Sequence, residues 1–214
     1  MVNCLKYAGE NMVPEEISMY NFKLSSNLNL KTDLKIINQS DIIALADIDK
    51  KVYNISVTSS NPLTEVMYFD EEDFREEIQN PTAYGFILYS VSQENREGIG
   101  YIMGYSDTHN EEIPESIEHL NGQGSYLVSC AIAPCFKKAG IMTELMQCFE
   151  KMALIRGDTY IRLHTRTENN PGYEGASKFF QKRGFKITGI IKDYYQEGDD
   201  VYEMVKVINN SFQI

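Results

Sequence analysis

Residues 126–146 read YLVSCAIAPCFKKAGIMTELM, and the change of periodicity inside this stretch decides the fold. Ser125 to Ala133 is largely apolar, the pattern of a strand buried in the centre of a sheet. Pro134 ends it. From Gly140 to Arg156, Ile141, Leu145, Cys148, Phe149, Met152 and Ile155 recur on one face, which predicts an amphipathic helix. A strand that feeds a short loop and then a helix aims free backbone N–H groups and the positive end of the helix dipole at one point, a site suited to phosphate or pyrophosphate. Lys137 and Lys138 add local positive charge. The plainer alternative is a simple connection carrying two solvated lysines. The Walker pattern G-x-x-x-x-G-K-[ST] and the dinucleotide pattern G-x-G-x-x-G are both absent.

Upstream, Leu34 to Ile37 reads as a short strand, and Ser40 as the cap of a helix in which Ile42, Ile43, Leu45, Ala46, Ile48 and Val52 recur, with Asp41 in its first turn. The polar stretch Asn54 to Thr64 interrupts it. Asp70 to Gln79 reads as a second short helix ended by Asn80-Pro81. Tyr84 to Val91 and Gly98 to Tyr105 predict an antiparallel hairpin. The run Asp107 to Gly124 holds five acidic residues and no Lys or Arg, the composition of a solvated loop or of the mouth of a site for a cation. Downstream, Thr159 to Thr165 is strand-like, Asn170-Pro171-Gly172 marks a turn, and Glu174 to Arg183 is helical. Phe185 to Lys192 and Val201 to Ile208 are strands joined through Gln196 to Asp200. The order β-α-α-β-β-β-α-β-α-β-β predicts an α/β (α+β) domain built on a mixed sheet with helices on its faces. Residues 1–30 are weakly periodic and read as an N-terminal extension to a domain spanning 31–214.

The 214 residues are 43% hydrophobic and 24% charged, enough apolar surface for one core. A net charge of −11 argues against binding nucleic acid or an anionic membrane and favours a cationic partner. No run is long and apolar enough to span a bilayer, and the first 20 residues lack the apolar core of a signal peptide. The cysteines Cys4, Cys130, Cys135 and Cys148 form no C-x-x-C pair and suit reduced thiols in the cytoplasm. Neither they nor His109, His119 and His164 show metal-ligand spacing, so no metal is expected.

Three segments together resemble the GNAT superfamily of acyl-CoA-dependent N-acetyltransferases over about residues 34–208. The family's Q/R-x-x-G-x-G/A loop follows a V-x-P strand end; here Ile132-Ala133-Pro134 precedes Lys137-x-x-Gly140-x-Met142. Ala176-x-x-Phe179-Phe180-x-x-x-Gly184-Phe185 is similar to the family's A-x-x-L-Y-x-x-x-G-F segment. Tyr194 to Met204 resembles the Y-Y-x-D-G-E-D-A-Y-x-M hairpin of protein N-terminal acetyltransferases.

The resemblance implies a mixed, mostly antiparallel GNAT-type sheet. It also implies acetyl-CoA as co-substrate, held at Ile132, Ala133, Lys137, Lys138, Ala139, Gly140, Ile141, Met142 and Thr143. Tyr194 and Tyr195 would hold the acceptor, a small cationic amine or a protein α-amine. The amine would attack the thioester directly in a ternary complex. Leu163-His164-Thr165-Arg166 resembles a family L-E-V-R segment and puts His164 at the position of the base, whereas Tyr126 on the central strand is a poor base at neutral pH. The family tyrosine that protonates the leaving thiolate falls on Phe180, so Tyr173 is the substitute candidate. Lys138, Met142 and Phe180 depart from the family pattern, and on them rests an alternative: a GNAT-fold acyl-CoA sensor or interaction module without turnover.

Overall fold

The computed structural model describes residues 31–57, 69–92, 95–107, 123–168, 173 and 175–208. In chain order the elements are β1 (Lys31–Ile36), α1 (Ile42–Val57), α2 (Glu71–Gln79), β2 (Tyr84–Val91), β3 (Arg96–Ser106), β4 (Gly124–Ile132), α3 (Ile141–Ile155), β5 (Tyr160–Arg166), α4 (Ala176–Lys182), β6 (Lys186–Ile191) and β7 (Val201–Val207). This is the predicted order. The strands form one sheet in the order β1-β2-β3-β4-β5-β7-β6. Every neighbouring pair is antiparallel except β4–β5, which is parallel and needs the crossover that α3 supplies.

Alternation along the strands makes two cores. On one face, Ile141, Leu145, Met146 and Phe149 of α3 pack against Phe86, Leu88, Leu127, Ile161 and Leu163. On the other, Ile42, Leu45 and Ile48 of α1 and Phe74 of α2 cover Ile87, Tyr89, Tyr101 and Met103. Phe74 meets the edge of Tyr101 at 5.4 Å between ring centroids. Burial of each such side chain stabilises the fold by about 1.5–3 kcal/mol.

The strand β4 parts from β5 midway. The two pair from Gly124–Tyr160 to Leu127–Leu163, after which β4 runs on to Ile132 and β5 to Arg166 without pairing to each other. The cause is visible on the opposite side of β4. Gly104 pairs with Leu127 and Met103 with Ser129, so Val128 is an extra residue, a bulge that bends the strand at the last shared rung. Gly104 is required there, because a Cβ at this position would lie 2.1 Å from the Tyr126 carbonyl oxygen.

Several expectations are corrected. Ser40 does not cap α1; Asn38 caps a 3-10 turn at Gln39–Asp41 that precedes it, its side chain accepting from the Ser40 N–H. Asp41 falls in that 3-10 turn, where it is buried, ion-paired to Lys35 at 2.7 Å and accepts a hydrogen bond from the Tyr89 hydroxyl. Helix α1 continues through Asn54 to Val57. Ile43 and Ile155, placed on buried helix faces by spacing, are 70% and 61% exposed. Asp107 is buried and holds Arg162 through both carboxylate oxygens, at 2.7 and 3.0 Å; its partner lies too far along the chain to be read locally. The rest of that acidic run through residue 122, the extension 1–30, and the turn 170–172 lie outside the described residues.

Candidate active site

The loop between β4 and α3 begins with a 3-10 turn at Pro134–Phe136 that uses the Ala133 carbonyl as acceptor for the Phe136 N–H. The Ala133 N–H is already donated to the Ile99 carbonyl across β3. The Ala133 N–H is thus committed to the sheet, and its carbonyl, with one lone pair engaged in the turn, keeps the second. Because main-chain groups alternate sides along a strand, the N–H and C=O of Ile132 turn the other way, into the gap left by β5.

Further on, Lys138 and Gly140 adopt positive φ, and Gly140 is the N-cap of α3 with no side-chain cap. Among the described residues, the N–H groups of Lys138, Ala139, Gly140, Ile141 and Met142 have no hydrogen-bond partner. These donors and the helix dipole converge on one spot, an arrangement that fits a pyrophosphate. Thr143 donates its N–H back to the Gly140 carbonyl, so of Thr143 only the side chain is available. The side chains of Lys137 and Lys138 are exposed, and Met142 packs against the core beneath α3, so its bulk is directed to packing.

The sheet face toward α1 and α2 carries the polar residues. Arg162 and His164 alternate with the buried Ile161 and Leu163, which puts both on this face. Tyr126 of β4 lies opposite Arg162 and beside Tyr105 of β3. The Tyr126 hydroxyl is 3.1 Å from His164 Nδ1. His164 Nε2 lies 3.6 Å from Glu203 Oε1 on β7. Arg162 stands under the Tyr126 ring at 4.9 Å and reaches the same Glu203 oxygen with Nη1 at 3.5 Å. Burial, helped by the Arg162 charge, holds the His164 imidazole below its ordinary pKa despite the opposing pull of Glu203. The ring is therefore neutral at neutral pH and able to take a proton. Burial raises the Tyr126 hydroxyl, which keeps its proton and remains a donor.

The structure brings Tyr194 and Tyr195 to this cluster. The Tyr194 ring meets His164 edge-on at 5.2 Å and Tyr195 at 4.7 Å, and both tyrosines remain substantially exposed. Tyr173 lies beyond them. Its ring and that of Tyr195 both contact the Arg166 guanidinium, at 5.2 and 4.8 Å, and Arg166 is ion-paired to Asp199 at 2.8 Å. Phe180 is buried against Phe179 and Phe185, a core position. Burial pushes the Cys130 thiol up to about 12, which disfavours the thiolate that a nucleophile needs. Arg162 and Glu203 were not expected at the site. The signal that marks them is a charged residue inside a strand whose neighbours on both sides are apolar, as in Ile161-Arg162-Leu163 and Tyr202-Glu203-Met204.

With this geometry in place, comparison with known proteins is direct. Residues 50–185 match the profile of the Acetyltransferase (GNAT) family, so the chain belongs to that family and is an acetyltransferase. An N-alpha-acetyltransferase of Sulfolobus acidocaldarius is 30% identical over 179 residues, covering 79% of this chain and 92% of its own. An N-alpha-acetyltransferase of Sulfurisphaera tokodaii is 28% identical over 122 residues, covering 54% of this chain; the match spans 66% of that relative's length. Among solved structures, Arabidopsis thaliana NAA60 in complex with a bisubstrate analogue shares the fold with a TM-score of 0.61 at 18% identity, covering 84% of this chain and all of that one. Among the described residues no group of side chains suits a metal ion, and no helix is long and apolar enough to cross a membrane.

Proposed function

We propose that this protein transfers the acetyl group of acetyl-CoA to the α-amino group of a protein N-terminus, by direct attack in a ternary complex. The observation that carries the reading is the Tyr126 hydroxyl lying 3.1 Å from His164 Nδ1, the two residues flanking Leu127–Leu163, the last rung that β4 and β5 share. In this reading the pyrophosphate rests on the N–H groups of Lys138 to Met142, with Lys137 alongside. The pantetheine arm follows Ile132 into the gap, and the acceptor enters between Tyr194, Tyr195 and the first helices.

The amine arrives as an ammonium. At a pKa near 8 an α-amine costs only about 1 kcal/mol to neutralise at pH 7, against about 4–5 kcal/mol for a lysine side chain. Its proton passes to the Tyr126 oxygen as the Tyr126 proton moves to His164 Nδ1, and His164 releases it to solvent. Nitrogen then bonds to the thioester carbonyl carbon, the C–S bond breaks, and Tyr173 supplies the proton to the departing thiolate; the second proton that nitrogen sheds as the amide forms returns to Tyr173 by way of solvent. The domain that does this begins at residue 31, and its free thiols at Cys130, Cys135 and Cys148 suit the cytoplasm.

The similarity to N-alpha-acetyltransferases favours an α-amine over a small cationic amine. The test is release of free CoA from acetyl-CoA with N-terminal peptides and, separately, with small amines. Turnover on peptides supports the reading, and turnover on small amines alone overturns its acceptor. Tight CoA binding with no turnover on either favours the acyl-CoA-binding module instead.

A further inference from the structure

His164 has two ring nitrogens and the structure gives each a different neighbour. Nδ1 faces the Tyr126 hydroxyl at 3.1 Å. Nε2 is buried, has no hydrogen-bond partner among the described residues, and faces Glu203 Oε1 at 3.6 Å, a few tenths of an ångström beyond hydrogen-bond reach. The pairing is built into the sheet. His164 and Glu203 lie directly opposite each other in the antiparallel β5–β7 register, so their side chains share a face.

The carboxylate is held from two more directions. Thr188 of β6 donates its hydroxyl to Oε2 at 3.3 Å, and Arg162 Nη1 approaches Oε1 at 3.5 Å. Arg162 does not depend on Glu203 as counter-ion, because Asp107 already binds it through two oxygens.

We propose that Glu203 is a positioning residue that keeps the proton of neutral His164 on Nε2, leaving Nδ1 as the acceptor that faces Tyr126. The inference rests on the proposed role of His164 as base and adds the group that orients it. With the proton on Nδ1 instead, the ring would donate to the Tyr126 oxygen, and the hydroxyl would have no acceptor for the proton it must pass on. An acid that fixes the imidazole tautomer from behind also stabilises the imidazolium once it forms. The groups around His164 are Tyr126 from β4, Arg162 on its own strand, Glu203 from β7, and Tyr194 beyond β6, with Asp107 acting through Arg162. Of these, Glu203 and Asp107 favour the protonated ring and Arg162 opposes it.

The test is nitrogen-detected NMR of the imidazole rings in the full-length protein. The chain has three histidines, so His164→Gln identifies the resonance. Wild type should show the Nε2–H tautomer. Glu203→Gln should show a mixture and titrate at lower pH, with kcat down tenfold or more and CoA affinity unchanged. Glu203→Asp should recover part of the loss. Thr188→Val, which loosens the carboxylate without removing its charge, should shift the tautomer in the same direction by less, and it serves if Glu203→Gln fails to fold. An unchanged tautomer and titration midpoint in both Glu203→Gln and Thr188→Val overturn the proposal. Wild-type turnover in His164→Gln would overturn the base itself, while the tautomer measurement still decides the role of Glu203.

Discussion

Lys138 and Gly140 stand two residues apart in the loop before α3, and both hold left-handed backbone, with φ of 66° and 83°. Glycine reaches that region freely, whereas a lysine is strained there by about 1–2 kcal/mol. Lys138→Gly should therefore raise stability by up to about 1 kcal/mol once the extra freedom of glycine in the unfolded chain is subtracted. It should change CoA affinity little, since the donors belong to the main chain; denaturant unfolding and calorimetry check the two claims. Lys137→Ala should weaken CoA binding only modestly, because an exposed charge is screened. Gly140→Val should weaken it tenfold or more, and calorimetry showing equal affinity would sink the placement of the pyrophosphate.

Turnover should rise with pH along a limb set by His164. A base acts only when neutral, and burial holds this one below its usual 6.5, so the limb falls on the acid side of that value. His164→Ala should lower kcat by about 10² with CoA affinity intact. Tyr126→Phe, which keeps the ring over Arg162 and removes only the hydroxyl, should lose a similar factor. Activity within threefold of wild type between roughly pH 6 and 9 in either variant would retire the proton path.

Stability should depend on pH through Asp49, which lies outside the proposed proton path. Its carboxylate is buried on α1, accepting from the Tyr101 hydroxyl and from the Phe69 N–H at 3.0 Å. Burial raises its pKa from 3.8 to about 6. Between those values the folded protein binds more protons than the unfolded one. The contribution is thus fully present below about pH 4 and lost as pH rises through 6, in total roughly 2–3 kcal/mol. Asp49→Asn should flatten this dependence and stabilise the protein at pH 7. Unfolding curves from pH 4 to 8 with an equal slope in both proteins would refute it.

Acceptor capture should weaken with salt. Asp107 is neutralised by Arg162 and adds nothing to steering, and Glu72 is paired with Arg75, but the exposed acids Glu71, Asp73 and Glu76 of α2 remain, as does the net charge of −11. Apparent kcat/KM for a cationic acceptor should fall as ionic strength rises from about 0.01 to 0.3 M. Tyr195→Ala should raise KM for the acceptor more than it weakens CoA binding, because its ring packs on Arg166 at the hairpin and touches none of the loop donors. Salt-independent rates on a neutral acceptor would show that the charge serves solubility.

Element order and the loop before α3 were legible because both are local. Ile141, Leu145 and Phe149 repeat at helical spacing, and Pro134 and Gly140 punctuate the loop within a few residues. His164 is marked as a candidate by a four-residue segment, Leu163 to Arg166. What was not legible depends on register. Nothing near Glu203 in sequence says that it lies opposite His164, and nothing near Asp107 says that it grips Arg162 some fifty residues on. Bulges such as that at Val128 shift such pairings by one residue, so strand pattern alone could not place the two charges.

The four rungs from Gly124–Tyr160 to Leu127–Leu163 are also a seam. On one side lie β1 to β4, a meander of antiparallel neighbours; on the other, β5, β7 and β6. Few main-chain bonds join the halves, so the C-terminal three strands have the makings of a separate unit of local unfolding. A ligand lodged beyond the seam touches both halves and ties them together. Hydrogen exchange in β5 to β7 should accordingly slow as a block when CoA binds, out to the edge strand β6, and the melting temperature should climb with its concentration.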